Sequence, residues 1–201
     1  MTKITHNLMV VALGLALGLS AKAGTITFEG IPLQYRGVSG LNLGDYYDGV
    51  TFGPTATAFE SNEYNSTLLP PHSGTAILFA GLTNDFIRAV FDAPVDSVSV
   101  WCSGIHGLTL EAYNSADQII DTMTGPANTS TTSQLSVTNA SSAIAYIIVR
   151  DPNGIPNSYN IDDLSSPGVS GAIRPIPEPS TIALVGLSLL SIIGMQWRKR
   201  Q

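Results

Sequence analysis

The sequence predicts an all-β domain, a single antiparallel β-sandwich of jelly-roll-like build, flanked by an N-terminal signal peptide and a C-terminal single transmembrane helix. Three observations carry that expectation. Gly, Ser, Thr and Asn are abundant and only 12% of the 201 residues are charged, a composition that leans toward strands and turns. Short runs rich in β-branched and aromatic residues recur between turn residues at fairly regular spacing. No stretch between the two ends shows the apolar period of an amphipathic helix.

Strands are expected at residues 25–28, 49–52, 75–79, 87–91, 95–102, 108–113, 118–123, 134–137, 143–150 and 159–164. Several alternate at period two. In "VDSVSVWC", Val98, Val100 and Cys102 share one face and Ser97, Ser99 and Trp101 the other. In "LTLEAY", Leu108, Leu110 and Ala112 face one way. The run "NSAD" at 114–117 reads as a hairpin connection, and "DPNG" at 151–154 has strong turn chemistry. Many short strands joined by such turns fit a sandwich or jelly roll, and no internal repeat is seen.

The two ends are read as addresses. Lys3 is followed by an apolar run from about residue 8 to 19, then by Ala21-Lys22-Ala23, the small-x-small pattern read by signal peptidase. Residues 1–23 are therefore expected to be a secretory signal peptide, with a mature chain starting at Gly24. The domain is expected over 24–164, and "SSPGVSGAIRPI" at 165–176 reads as a flexible Pro/Gly/Ser-rich linker. Residues 180–197 are uncharged and near the lower length limit for a spanning helix. Arg198, Lys199 and Arg200 follow as a stop-transfer cluster that keeps this end in the cytoplasm.

Charge narrows the partners. Between residues 24 and 176 the only cations are Arg36, Arg88, Arg150 and Arg174, and fourteen carboxylates leave that segment at −10. Such a surface repels phosphate backbones, so no nucleic-acid partner is expected. Neutral glycans and divalent metals remain compatible with it. Cys102 is the sole cysteine, so no intramolecular disulfide can form.

The order Pro177-Glu178-Pro179, apolar helix, Arg/Lys cluster at 177–201 resembles the PEP-CTERM sorting signal of Gram-negative, biofilm-forming bacteria. The resemblance implies processing near Pro177, Glu178 and Pro179 by an exosortase, a transient inner-membrane tether, and delivery to the cell surface or extracellular matrix. Two prolines also keep this stretch extended and out of helix, hence accessible to an enzyme at the membrane surface. The pieces "ITFEG", "YDGVTF", "LEAYNSADQII" and "YNIDDLS" are similar to jelly-roll, carbohydrate-binding-like domains. That likeness implies a structural calcium ion clamped by Glu29 and Asp163, with Asp162 as the alternative to Asp163.

No zinc-protease, nucleophile-elbow, phosphate-loop or Cys-x-x-Cys motif occurs. "WCSGIHG" places Cys102 and His106 four apart, which reads as a buried thiol and a loop histidine rather than a catalytic dyad. His72 reads as loop surface. Tyr46 and Tyr47, in "LGDYYDG" beside acidic residues, are the expected glycan contacts, through stacking on a sugar face. The function expected is a non-catalytic envelope or matrix protein associated with exopolysaccharide. A glycan-binding module is the alternative, and a secreted glycoside hydrolase a remoter one.

Overall fold

The computed structural model describes residues 23–37, 42–81, 85–141 and 143–174. Its strands are β1 (Ala23–Ile26), β2 (Val50–Phe52), β3 (Thr57–Glu60), β4 (Ala76–Phe79), β5 (Phe86–Val95), β6 (Ser97–Gly104), β7 (Thr109–Tyr113), β8 (Ile119–Thr124), β9 (Ser133–Thr138), β10 (Ile144–Arg150) and β11 (Tyr159–Pro167). They form two sheets. One runs β3-β4-β11-β6-β9, with β1 also paired to β11, and the other runs β2-β5-β10-β7-β8. Every strand pairing in both is antiparallel. The predicted all-β sandwich is what the chain adopts.

The period-two reading explains the core. Val98, Val100 and Cys102 of β6 face inward, as do Leu110 and Ala112 of β7, and all five are at most 2% exposed. They meet Ile87 and Ala89 of β5, Ile147 and Val149 of β10, and Ile161 and Leu164 of β11. The turns behave as their residues dictate. Asn114 Oδ1 accepts the N–H groups of Ala116 and Gln118, and Asp151 Oδ1 accepts that of Asn153.

Three details differ from the sequence-based expectation. Strand β3, in "TAFE", is an addition, and it pairs with β4 from Thr57↔Phe79 to Glu60↔Ala76. Phe28 lies beyond β1, fully buried with φ of 60°, because the chain turns inward there and plugs the sandwich with the ring. The stretch expected as a flexible linker, 165–176, is docked through residue 174, and 175 and 176 lie outside the described residues. Residues 165–167 belong to β11, and 168–174 form a strap along the 44–49 segment. Asp48 N–H donates to Ala172 O, Ser170 N–H to Asp48 O, and Arg174 N–H to Tyr46 O. Gly49 permits this approach: a Cβ there would lie 2.0 Å from Gly168 O.

Among the described residues no helix is long and apolar enough to cross a membrane. The expected spanning segment 180–197, Ala21, Pro177, Glu178, Pro179, Arg198, Lys199 and Arg200 all lie outside the described residues. Ala23 opens β1 opposite Pro167, so a chain cleaved after it retains Gly24, Thr25 and Ile26 of that strand.

Candidate functional site

The outer face of the five-stranded sheet carries a connected row of polar and aromatic side chains. Ile147 and Val149 of β10 point into the core, so Tyr146, Ile148 and Arg150 point out. Leu110 and Ala112 of β7 likewise leave Glu111 and Tyr113 outside, and Ile87 and Ala89 of β5 leave Arg88 outside. Register sets the neighbours. Tyr146 lies opposite Tyr113, and Ile148 lies between Glu111 and Arg88.

The side chains stack across three strands. Arg88 Cζ sits 4.1 Å from the Tyr146 ring centroid, an arrangement that ring and cation both favour. Tyr146 in turn stacks on Tyr113, with centroids 4.6 Å apart and planes 7° apart. The ring faces are thereby used on one another, and the face presents edges and hydroxyls. Tyr113 Oη donates to Glu111 Oε2 at 2.7 Å, and Tyr146 Oη to Asp117 Oδ1 at 3.0 Å. Arg150 donates to the other oxygen of Glu111. Burial, followed by the bond to Glu111, pushes the Tyr113 phenol up to about 12. Burial also raises Tyr146. Both phenols therefore stay protonated at neutral pH.

Arg88 differs from the other arginines. Arg36, Arg150 and Arg174 pair with Glu60, Glu111 and Asp92. Among the described residues Arg88 has no carboxylate partner, and its Nε, like that of Arg36, is buried without a hydrogen bond. Its guanidinium and the Tyr113 edge, held against the buried Tyr146 and a Glu111 carboxylate that already accepts from Tyr113 and Arg150, make a fixed polar array. Such an array suits a ligand rich in hydroxyl groups.

The tyrosines expected from sequence divide. Tyr47 is 4% exposed and packs edge-on against Phe28 and Phe52 at 6.0 and 6.4 Å, with burial raising its phenol far above the ordinary value. It is a core residue and cannot contact a glycan. Tyr46 is half-buried between Tyr35 and Tyr47, each 5.0 Å away. Consecutive residues in extended chain face opposite ways, so only one of the pair can face out. The row on β5, β7 and β10 was legible only as alternation: "TLEAY" and "IAYIIVR" set Glu111, Tyr113, Tyr146 and Arg150 on the faces opposite the apolar positions.

Glu29, Asp162 and Asp163 converge on one loop, 72–75, without forming a metal cage. Glu29 Oε1 accepts the N–H groups of Thr75 and Ala76 at 2.7 and 2.8 Å. Asp162 Oδ2 accepts those of His72 and Ser73, both at 2.8 Å, and Oδ1 accepts that of Asp163. Asp163 Oδ1 accepts the Ser73 hydroxyl. Calcium needs six to eight oxygen lone pairs, whereas here N–H and O–H donors point at the carboxylates. Among the described residues no group of three or more His, Cys, Asp or Glu is placed to hold a metal. These residues do not fit the calcium ion that the sequence likeness implied; the carboxylates fasten the loop themselves. The melting temperature of the protein is accordingly expected to be the same in buffer and in excess EDTA, as read by differential scanning calorimetry.

Cys102 and His106 do not meet as a dyad. The Cys102 thiol is buried and donates to Ser133 O, and burial pushes it up to about 12, so no thiolate forms at neutral pH. His106 Nδ1 instead lies 2.6 Å from Asp151 Oδ2, which also accepts the Ser158 hydroxyl at 2.5 Å. Burial alone would raise Asp151, but Ser158, the Asn153 N–H and His106 together hold it below the usual carboxylate range. His72 is not a free loop side chain: its ring stacks on Trp101 at 3.5 Å.

No curated protein matches the chain in sequence. Among solved structures it is similar to the K2 cleaved adhesin domain of Lys-gingipain, at 13% identity and TM-score 0.47, over 72% of this chain and 97% of that one. It is also similar to a variant of a family 29 carbohydrate-binding module, at 14% identity and TM-score 0.41, over 78% and 100% of the two chains. A third likeness is to a glycoside hydrolase family 43 arabinoxylan arabinofuranohydrolase from Bacillus subtilis, at 17% identity and TM-score 0.41, over 63% of this chain and 28% of that one. At these scores the likeness carries no functional residue across. Residues 175–201 match the family described as PEP-CTERM protein-sorting motif. The chain thus carries a PEP-CTERM sorting motif behind its β-sandwich, and that motif implies an exported, membrane-anchored precursor in a Gram-negative bacterium.

Proposed function

We propose that this is a non-catalytic envelope or matrix protein, delivered by exosortase processing at its sorting motif, whose sandwich binds a neutral polysaccharide through the outer face of the five-stranded sheet. The observation that supports the reading is the stack of Arg88, Tyr146 and Tyr113 beside the Glu111–Arg150 pair. It is rigid, polar and partly aromatic, and it costs little ordering on binding. Arg88 is the one cation of this row without a carboxylate partner among the described residues, which leaves it to a ligand's hydroxyls. The acidity of the 24–176 segment favours an uncharged chain over an acidic one. The absence of turnover is supported by a thiol held protonated and a histidine engaged by Asp151.

Binding of the secreted protein to a panel of neutral and acidic exopolysaccharides, followed by isothermal titration, tests this reading. Arg88→Ala and Tyr113→Ala are each expected to weaken binding about tenfold, the effect of removing one well-packed contact. Tyr46→Ala, away from this face, is expected to bind like the parent. Equal loss with Tyr46→Ala, or none with Arg88→Ala, would place the site elsewhere.

A further inference from the structure

The docked strap ends where the sorting motif begins. Arg174 is held by Tyr46 O and by an ion pair of its Nη2 with Asp92 at 2.5 Å, and the motif match starts at residue 175. Only Pro175 and Ile176 separate Arg174 from Pro177. Three residue steps of extended chain reach about 10 Å at most. A processing enzyme must hold several residues of its substrate extended on either side of the bond it attacks. With the strap in place, only those three residue steps of chain lie between the sandwich and Pro177 for that enzyme to close on.

The strap is built unevenly. Val169 is 4% exposed and belongs to the core, so it fixes the strap's first part. Beyond it the contacts are few and wet. Gly171, Ala172 and Ile173 are exposed, Ile173 at 56%. The Arg174–Asp92 pair is half-buried on the Arg174 side and exposed on the Asp92 side, at 30% and 49%, so it contributes little. Segments with few buried contacts open locally at small free-energy cost. Releasing residues 170–174 while Val169 stays seated lengthens the free chain before Pro177 to eight residue steps, about 28 Å when extended.

We infer that residues 170–174 are a releasable tether: they lie against Tyr46 and Asp48 in the folded precursor and peel away to give the enzyme the extended chain it needs ahead of the motif. This rests on the reading that 177–179 are processed. The partner is a membrane-bound peptidase-like enzyme that takes its substrate as extended chain.

The experiment follows the full chain in an exosortase-bearing host, by immunoblot of precursor and processed forms. In Asp48→Cys/Ala172→Cys, a disulfide across the exposed hydrogen-bonded pair would lock the strap, its formation being read on non-reducing gels. The locked precursor is expected to be processed about tenfold or more slowly, since opening is blocked. Placing an eight-residue Gly/Ser spacer between Arg174 and Pro175 in the locked chain is expected to restore processing, because the spacer supplies about 15 Å of mean reach without release. The same spacer in the parent chain is expected to speed processing severalfold, which keeps the test decisive if the disulfide does not form. Processing of the locked chain at the parental rate, or a spacer without effect in the parent and locked chains, overturns the inference. Pro177→Ala/Pro179→Ala processed like the parent would instead remove the reading it rests on.

Discussion

Phe28→Ala is expected to lower the unfolding free energy by about 3–5 kcal/mol, the range for truncating a fully buried Phe. The ring is 0% exposed and makes edge contacts with Tyr47 at 6.0 Å and Phe52 at 5.7 Å. It thus ties the turn after β1 to both the 44–49 segment and β2. A truncated side chain leaves a cavity among rings that cannot collapse into it, since Tyr47 and Phe52 are themselves fixed by neighbouring strands. The left-handed φ of 60° adds strain that only packing around the ring offsets. Urea denaturation checks the value, with Phe86→Ala as reference. Phe86 lies on the outer sheet face at 38% exposure, and its loss is expected to cost under about 1 kcal/mol. Equal costs for the two variants would refute the assignment of Phe28 to the core.

Stability is also expected to fall as pH rises from about 4 to about 7, because of Asp162. That carboxyl is 1% exposed, and burial pushes it up to about 7, outweighing the N–H groups of Ser73, Asp163 and His72, while the charge of Asp163 pushes the same way. The unfolded side chain has an ordinary value near 4. Between those two values the folded state holds a proton that the unfolded state has released, so raising the pH favours unfolding. The groups facing Asp162 are Asp163, the His72 and Ser73 backbone N–H groups and Tyr64, whose buried phenol it helps to raise. Asp162→Asn keeps a carbonyl oxygen for the two loop N–H groups and cannot ionise. Its melting temperature is expected to be flat over that window, while that of the parent declines. A parent curve that rises through pH 4–7 would show the N–H donors, and not burial, to be in control. Asp151 works in the other direction and in a lower window. Held below its usual range, it contributes stability that is lost as the pH drops below about 4.

Much of the architecture was legible because period two is a local property. The inward set Val98, Val100, Cys102, Leu110 and Ala112 needs no tertiary information, since the pleat alone sorts each strand into faces. Strand β3 was missed because "TAFE" is short and apolar on both sides, with Thr57, Ala58 and Phe59 all buried, so it carries no alternation. The strap was misread for a different reason. Pro, Gly and Ser describe a chain without its own secondary structure, and such a chain is extended whether it floats or lies along a partner. What decides is the 44–49 segment, more than 120 residues earlier. The site shows the same limit. Sequence pointed to Tyr46 and Tyr47 because they are adjacent and flanked by acids. It could not show that three strands far apart in the chain bring Arg88, Tyr146 and Tyr113 into one stack. Glu29 and Asp163, with Asp162 as the alternative, were read as an ion clamp. Their actual partners were not legible, because backbone N–H groups leave no trace in a residue list.

The position of β11 has a mechanical consequence. It is a middle strand of its sheet, bonded to β6 on one side and to β4 and then β1 on the other, and the C-terminal segment continues directly from its end. Were the sandwich held through that segment, a pull reaching β11 along its axis would load its ladder hydrogen bonds together in shear. The 170–174 contacts would be loaded one after another. Such a pull would therefore loosen the exposed end well before it disturbed the sheets, and the face that carries Arg88 would keep its shape under load.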